Sequence, residues 1–550
     1  MPSVALRLVA AAAVAACLAP AAEAGLPAKA GRAFLPPPLP GPRAIQALGA
    51  SRELLVQADD PKADAPLRFL GGQRVSRTLD IWRIRSFALV PALPALERAG
   101  LVRAVEPDRL RHADARLDFG DPLVSTEWWR TAVGADAVTP PGPGKPVTVI
   151  DSGLDLTHPE FANRPNTTAL NTQTATGSEG EAHGTAVSSV AAAPADGEGV
   201  VGVYPQAVLR SWDASPSVTS AISISDEVAG LDAATRNARG VINLSLGGTS
   251  YSFEEEEAIE AAFGQGSLVV ASAGNEFQQN NPTEYPASFN HVLTIAATNE
   301  QNSPTDFSNE NLSVDLAAPG QDIPVAVPLG VNPSGFDSWD GTSFSAPIVS
   351  GAAAWVWTVR PSLAVTQLFD LMRFSARDIF DKGYDTSTGF GVLDIPAALR
   401  RTAPTADPQE PNEDVYLVKP GRLFKDGSPL LTSPVRHRAT LKARLDVTED
   451  PEDVYRVWLP ALSTISISVP KTDANVQLEA WDTGTASVHE RDAAAKRDLL
   501  AVSADAGTKP EAVQVKNLAA KGAVIYADVF LAKGVDQAAY TVTIGPAPKR

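Results

Sequence analysis

Between residues 119 and 402, short apolar runs alternate with longer stretches of small residues, and this alternation restricts the fold more than any other feature of the chain. Val147-Thr148-Val149-Ile150, Ile242-Asn243-Leu244-Ser245 and Leu268-Val269-Val270-Ala271 have the length and apolar content of buried strands. Residues 183–193 and 346–359 read as helices, the second apolar enough to be buried. Strands separated by helices imply an α/β fold, with a mostly parallel central sheet and helices on both faces. In such sheets chemistry gathers at the carboxyl ends of the strands. Asp151 directly follows the first of these strands, and Asn275 lies just beyond the third.

The flanks have a different character. Residues 51 to about 115 read as a small α+β unit, with strands at 53–57, 81–84 and 102–105 and a helix at 93–99 stopped by Gly100. Beyond residue 404, Ile465, Ile467 and Val469 alternate with polar neighbours, as do Tyr540, Val542 and Ile544. That period of two predicts an antiparallel, all-β sandwich. Phe34-Leu35-Pro36-Pro37-Pro38 and the stretch from Asp407 to Asn412 read as linkers.

Composition removes several function classes. The 64 acidic residues outnumber the 46 basic ones, for a net charge of -18. That surplus argues against nucleic acid or anionic lipid as the main partner. Cys17 is the single cysteine, so no intramolecular disulfide can form. Arg7, the apolar run from Leu8 to Leu18 and Ala22-Glu23-Ala24 have the anatomy of a secretory signal over residues 1–24. No other run reaches the roughly 18 apolar residues of a membrane-spanning helix. Secretion to the extracellular space is therefore expected. Val14-Ala15-Ala16-Cys17 also resembles a lipobox, which leaves open a lipid anchor on Cys17.

Four segments carry chemistry: Asp151-Ser152-Gly153, His183-Gly184-Thr185, Ala273-Gly274-Asn275 and Gly341-Thr342-Ser343. Acyl transfer by serine needs a hydroxyl activated by a base. It needs an imidazole oriented by a carboxylate, and donors aimed at the developing oxyanion. One Asp, one His, one Asn and one Ser supply these parts, in an order known for serine proteases of the α/β type.

With these motifs the chain resembles the subtilisin-like serine protease (subtilase) family over residues 119–402. The resemblance implies Ser343 as nucleophile, His183 as general base and acid, Asp151 as orienting carboxylate and Asn275 as oxyanion donor. It implies protein or peptide substrates, held along Ser245, Leu246 and Gly247, with Ala273 and Gly274 walling the pocket for the residue before the scissile bond (P1). Glu284, ahead of Tyr285-Pro286, would lie at the floor of that pocket and favour Lys or Arg there. Glu160 and Asp196 match positions of a structural Ca²⁺ site, a chemistry that suits carboxylates and loop carbonyls. Phe344 stands where the family commonly has Met, and Ser189 where it often has Gly.

The resulting expectation is a signal at 1–24, a linker and propeptide at 25–118, a peptidase domain at 119–402 and a β-sandwich at 403–550. The sandwich resembles the bacterial prepeptidase C-terminal domain through Glu410-Pro411-Asn412 and Asp453-Val454-Tyr455. The propeptide would act as an intramolecular inhibitor, and a monomer is expected. The alternative is a catalytically silent, secreted binding protein on the same fold.

Overall fold

The computed structural model describes residues 53–548, except 59, 77–79, 108–118, 175–178, 216–220 and 490–496. The signal, Cys17 and the Pro-rich linker lie outside the described residues. The chain divides into two compact units, one up to Asp114 and one from Ala115 onward.

In the first unit, strands β1 (Glu53–Ala58), β2 (Gln73–Ser76), β3 (Ile81–Arg85) and β4 (Val102–Pro107) form an antiparallel sheet in the order β2-β3-β1-β4. Alternation explains its core. Leu54, Val56, Trp82 and Ile84 point to one face and are buried with Leu67, Leu93 and Leu96 from short helices.

The second unit is built on a seven-stranded sheet. Its strands are β5 (Pro146–Asp151), β6 (Thr167–Ala169), β7 (Val208–Asp213), β8 (Val241–Leu244), β9 (Leu268–Ser272), β10 (Val292–Thr298) and β11 (Val314–Pro319). They lie in the order β11-β10-β9-β8-β5-β7-β6, every pair parallel. Neighbouring side chains serve opposite faces: Val149 joins the core under helices Glu179–Ala192 and Thr342–Val359. Ile150 joins the core under helices Ile224–Arg236 and Phe253–Gly264. The strand order turns back at β5, between β8 and β7. A crevice forms outside the carboxyl ends at such a switch point.

Two helices begin earlier than their sequence suggests. The His183 helix starts at Glu179. The helix read over residues 346–359 starts at Thr342, so that Ser343 opens it, as the family resemblance implies. Pro347 lies inside this helix, where it removes one backbone donor.

A hairpin of β12 (Ile323–Ala326) and β13 (Phe336–Trp339) follows the sheet. The remaining strands are β14 (Ala439–Asp446), β15 (Glu452–Leu459), β16 (Thr464–Thr472), β17 (Val476–Trp481), β18 (Leu499–Ser503), β19 (Glu511–Lys516), β20 (Ala523–Leu531) and β21 (Gln537–Pro546). They pair antiparallel as β14-β21-β16-β19 and β15-β20-β17-β18, around one apolar core containing Ile467, Val469, Tyr540 and Val542.

Candidate active site

Asp151 ends β5 and is buried, while His183 is about a third exposed at the mouth of the crevice. Nδ1 of His183 lies 2.9 Å and 3.1 Å from the two Asp151 oxygens. The Ser152 N–H donates to Asp151 Oδ1 at 2.7 Å and fixes the carboxylate. The two motifs also clasp each other: Gly184 N–H donates to the Ser152 hydroxyl at 3.0 Å, and Asp155 N–H to the Thr185 hydroxyl at 2.9 Å. Gly184 permits this approach, since a Cβ there would stand 2.2 Å from the Gly153 carbonyl oxygen. Burial lowers the His183 imidazole, but the Asp151 charge and hydrogen bond outweigh it and leave the pKa raised.

Ser343 sits at the start of its helix, where free N–H groups favour nearby negative charge. Its hydroxyl donates to the Ser245 carbonyl at 3.4 Å. Its own carbonyl has lost the helical partner four residues on, because Pro347 has no N–H. The Ser245 hydroxyl takes that place at 2.8 Å. Asn243 Nδ2 donates to the Ser245 hydroxyl at 2.9 Å, and the Ser350 hydroxyl to Asn243 Oδ1 at 2.9 Å. This buried chain locks the end of β8 to the Ser343 helix. Neither Asn243 nor Ser350 stands out in the sequence, because their partners are remote along it.

Asn275 is exposed beside the helix start, in the turn after β9. Its Oδ1 accepts from both the N–H and the hydroxyl of Thr342, at 2.9 Å each. That engagement assigns the amide and leaves Nδ2 to serve the crevice. Thr342 is a further residue that sequence reasoning did not single out.

Asp151, Ser152, His183, Ser245, Leu246, Gly247, Ile222, Tyr285 and Trp339 line a cleft of about 850 Å³. Glu284 is buried beside it, against two glycines: a Cβ on Gly274 would meet its Cγ at 2.8 Å, and one on Gly247 its Oε2 at 3.3 Å. Burial, reinforced by Glu276, raises the Glu284 carboxyl. Ala273 is buried beneath this wall. Ser189, at a position where a glycine is common, is accommodated: its hydroxyl donates to the Ala186 carbonyl at 2.7 Å and accepts from Ala326 N–H at 3.0 Å.

Away from the cleft, Glu160 Oε1 accepts from Val200 N–H at 2.8 Å, while its Oε2 is buried without a partner. Asp121 Oδ1 accepts from the N–H groups of Asp196 and Gly197 at 3.2 Å and 2.9 Å, and its Oδ2 is likewise buried and unpartnered. Burial, then the Asp196, Asp121 and Glu127 charges, push the Glu160 carboxyl up to about 8. Gly199 closes the pocket where a Cβ would strike Glu160. Carboxylates with free buried oxygens beside a loop fit a hard cation. Asp196 itself is exposed, its carboxylate accepting from Glu198 N–H at 3.2 Å. Asp121 is the member of this group absent from the sequence reading.

A model of the subtilase family matches residues 142–391. Subtilisin E of Bacillus subtilis (strain 168) is 30% identical over 312 residues, 56% of this chain and 78% of that protein. Subtilisin of Bacillus pumilus is 31% identical over 256 residues, covering 46% and 90% of the two chains. Fervidolysin of Fervidobacterium pennivorans is 30% identical over 322 residues, 52% of this chain and 46% of that protein. Its solved structure aligns with 84% of this chain at 20% identity and a TM-score of 0.49.

Proposed function

We propose that this chain, which belongs to the subtilase family of serine peptidases, is a secreted endopeptidase that works through Asp151, His183 and Ser343. The observation that carries the reading is the two-oxygen grip of Asp151 on His183 Nδ1 at the mouth of the cleft. A proton held on Nδ1 leaves Nε2 as the base. On substrate binding the Ser343 hydroxyl turns from the Ser245 carbonyl to Nε2, as catalytic hydrogen bonds tighten only in the complex. Ser343 Oγ attacks the peptide carbonyl and His183 takes its proton. The oxyanion is received by Asn275 Nδ2 and the Ser343 N–H. His183 returns the proton to the leaving amine, and water then hydrolyses the acyl-enzyme by the same base.

An extended substrate would lie along Ser245, Leu246 and Gly247 by β-augmentation. Glu284, under Gly247 and Gly274, would favour a basic P1 side chain. The residues up to 118 would act as an inhibitory propeptide removed by self-cleavage near residues 111–122. Arg111 and Arg116 in that stretch lie outside the described residues. Export would use the N-terminal segment, with an anchor on Cys17 as the alternative.

Ca²⁺ would be held by Glu160, Asp121 and the loop around Asp196, where it stabilises the fold and takes no part in the chemistry. Chelator should lower the melting temperature of the wild type by more than that of Glu160→Gln. Equal melting of the wild type with and without chelator removes the site.

The deciding experiment is casein hydrolysis by wild type beside Ser343→Ala, with fluorophosphonate labelling of both. Digestion and labelling by the wild type alone are expected. Absence of both activities in wild type freed of residues 1–118 would favour a silent binding protein.

A further inference from the structure

Two buried carboxylates line the cleft apart from the catalytic residues. Glu227 lies in the first turn of helix Ile224–Arg236, and Glu255 in the first turn of helix Phe253–Gly264. The two helices pack against each other. Both side chains border the same cleft as His183 and Ser245. Each is only 3% exposed, and Glu227 Oε1 is buried without a hydrogen-bond partner.

The helix ends do not require this arrangement. Negative charge favours a helix N-terminus, and Asp226 and Glu254 supply it from less buried positions in the same turns. The Ser223 and Ser252 hydroxyls cap the two helices, accepting from the N–H groups of Asp226 and Glu255 at 3.2 Å and 3.3 Å. Neither helix needs a carboxyl turned inward.

The surrounding chain offers no cation either. Apart from Asp151, Ser152 and His183, the cleft is lined from two stretches, residues 211–235 and 240–359, and neither contains a Lys or Arg. Burial, then the Glu255 charge and hydrogen bond, push the Glu227 carboxyl well above its ordinary range. Burial also raises Glu255, against the hydrogen bond from Glu227. That bond raises one group and lowers the other, so the proton shared by the pair sits on Glu227.

Buried carboxyl groups are costly unless something pairs with them. A cation carried by the substrate would replace the shared proton and satisfy the unpartnered oxygen. A guanidinium suits the site best, because its fork of N–H groups can reach both carboxylates. Its apolar stem can lie along Ile222, Ile224 and Leu246, which line the same cleft. Among the described residues, no third carboxylate or imidazole gathers with the pair as a metal site would require. Glu284 belongs to a different loop, against Gly247 and Gly274. Successive side chains of an extended peptide point to opposite sides, so a separate residue of the substrate can serve each acidic position.

We propose that Glu227 and Glu255 form a second specificity pocket, which takes an Arg or Lys side chain of the substrate at a position other than P1. This assignment rests on the peptidase reading above and narrows its substrates to chains with a basic residue at a fixed distance from the scissile bond.

The test uses the full chain as expressed, wild type beside Glu227→Gln and Glu255→Gln. The substrates are peptides of one fixed P1 residue in which a single Arg replaces Leu, moved one position at a time. At one position Arg should raise kcat/KM about 10-fold or more over Leu, and Glu227→Gln should remove most of that advantage. The ratio is the readout, because a merely structural loss of activity would slow both peptides alike and leave it unchanged. Should Glu227→Gln fail to fold, Glu255→Gln serves in its place. Hydrolysis with no favoured position for Arg, or a ratio unchanged in the variants, overturns the pocket and leaves the peptidase reading standing. Hydrolysis of none of the peptides overturns that reading, and the pocket with it.

Discussion

Ser245 and Ser343 hold one another through two reciprocal contacts: the Ser245 hydroxyl donates to the Ser343 carbonyl at 2.8 Å, and the Ser343 hydroxyl to the Ser245 carbonyl at 3.4 Å. The first exists because Pro347 leaves that carbonyl without its helical donor. Ser245→Ala should therefore loosen the nucleophile without removing it. Losing one such bond is worth about 1 kcal/mol, so kcat should fall roughly 5- to 10-fold. Steady-state kinetics on a peptide substrate check this, and an unchanged kcat would show that the clasp does not position Ser343.

Thr342 holds Asn275 by two hydrogen bonds to Oδ1. Thr342→Val keeps the shape and one of those bonds. We expect kcat to drop about tenfold with KM nearly constant, a fraction of the 10²–10³ that losing an oxyanion donor costs. Thr342→Ser should restore most of the rate. A rise in KM alone would place Thr342 in substrate binding instead.

The Asp151 charge keeps the His183 pKa above the ordinary imidazole value, against the opposing effect of burial. Only neutral His183 can act as base, so kcat/KM should rise with pH through a midpoint above about 6.5. Asp151→Asn removes the raising influence and leaves burial. Its acid limb should move to lower pH while kcat falls by roughly 10⁴. A pH–rate profile on both proteins decides; an unmoved limb would assign the ionisation to another group.

Glu284 lies beneath Gly247 and Gly274 with its carboxyl raised by burial and by Glu276. A bound Lys or Arg would compensate that burial. The ratio of kcat/KM for arginyl over phenylalanyl P1 substrates should exceed one, and Glu284→Gln should cut it about 10-fold or more. Preference for Phe or Leu in the wild type would overturn the assignment.

The central strands and the four chemical segments were legible because each is local: β-branched runs, a small residue beside each functional one, and fixed order along the chain. What escaped depends on distant pairing. Thr342 meets Asn275 across 67 positions, and Ser350 meets Asn243 across 107. Asp121 looks like a loop residue until the Asp196–Gly197 backbone turns onto it. His291 reads as one more histidine, since its carboxylate partners at 410 and 413 come from beyond the peptidase fold.

Of the 18 residues in the Ser343 helix, 15 are buried, among them Trp355 and Trp357. A segment enclosed this way cannot fray on its own, so its amide hydrogens should exchange only when the whole domain opens. The nucleophile is thus mounted on a segment that opens only with its own domain. Heat inactivation and global unfolding should follow one curve, and residual activity becomes a direct gauge of the folded fraction.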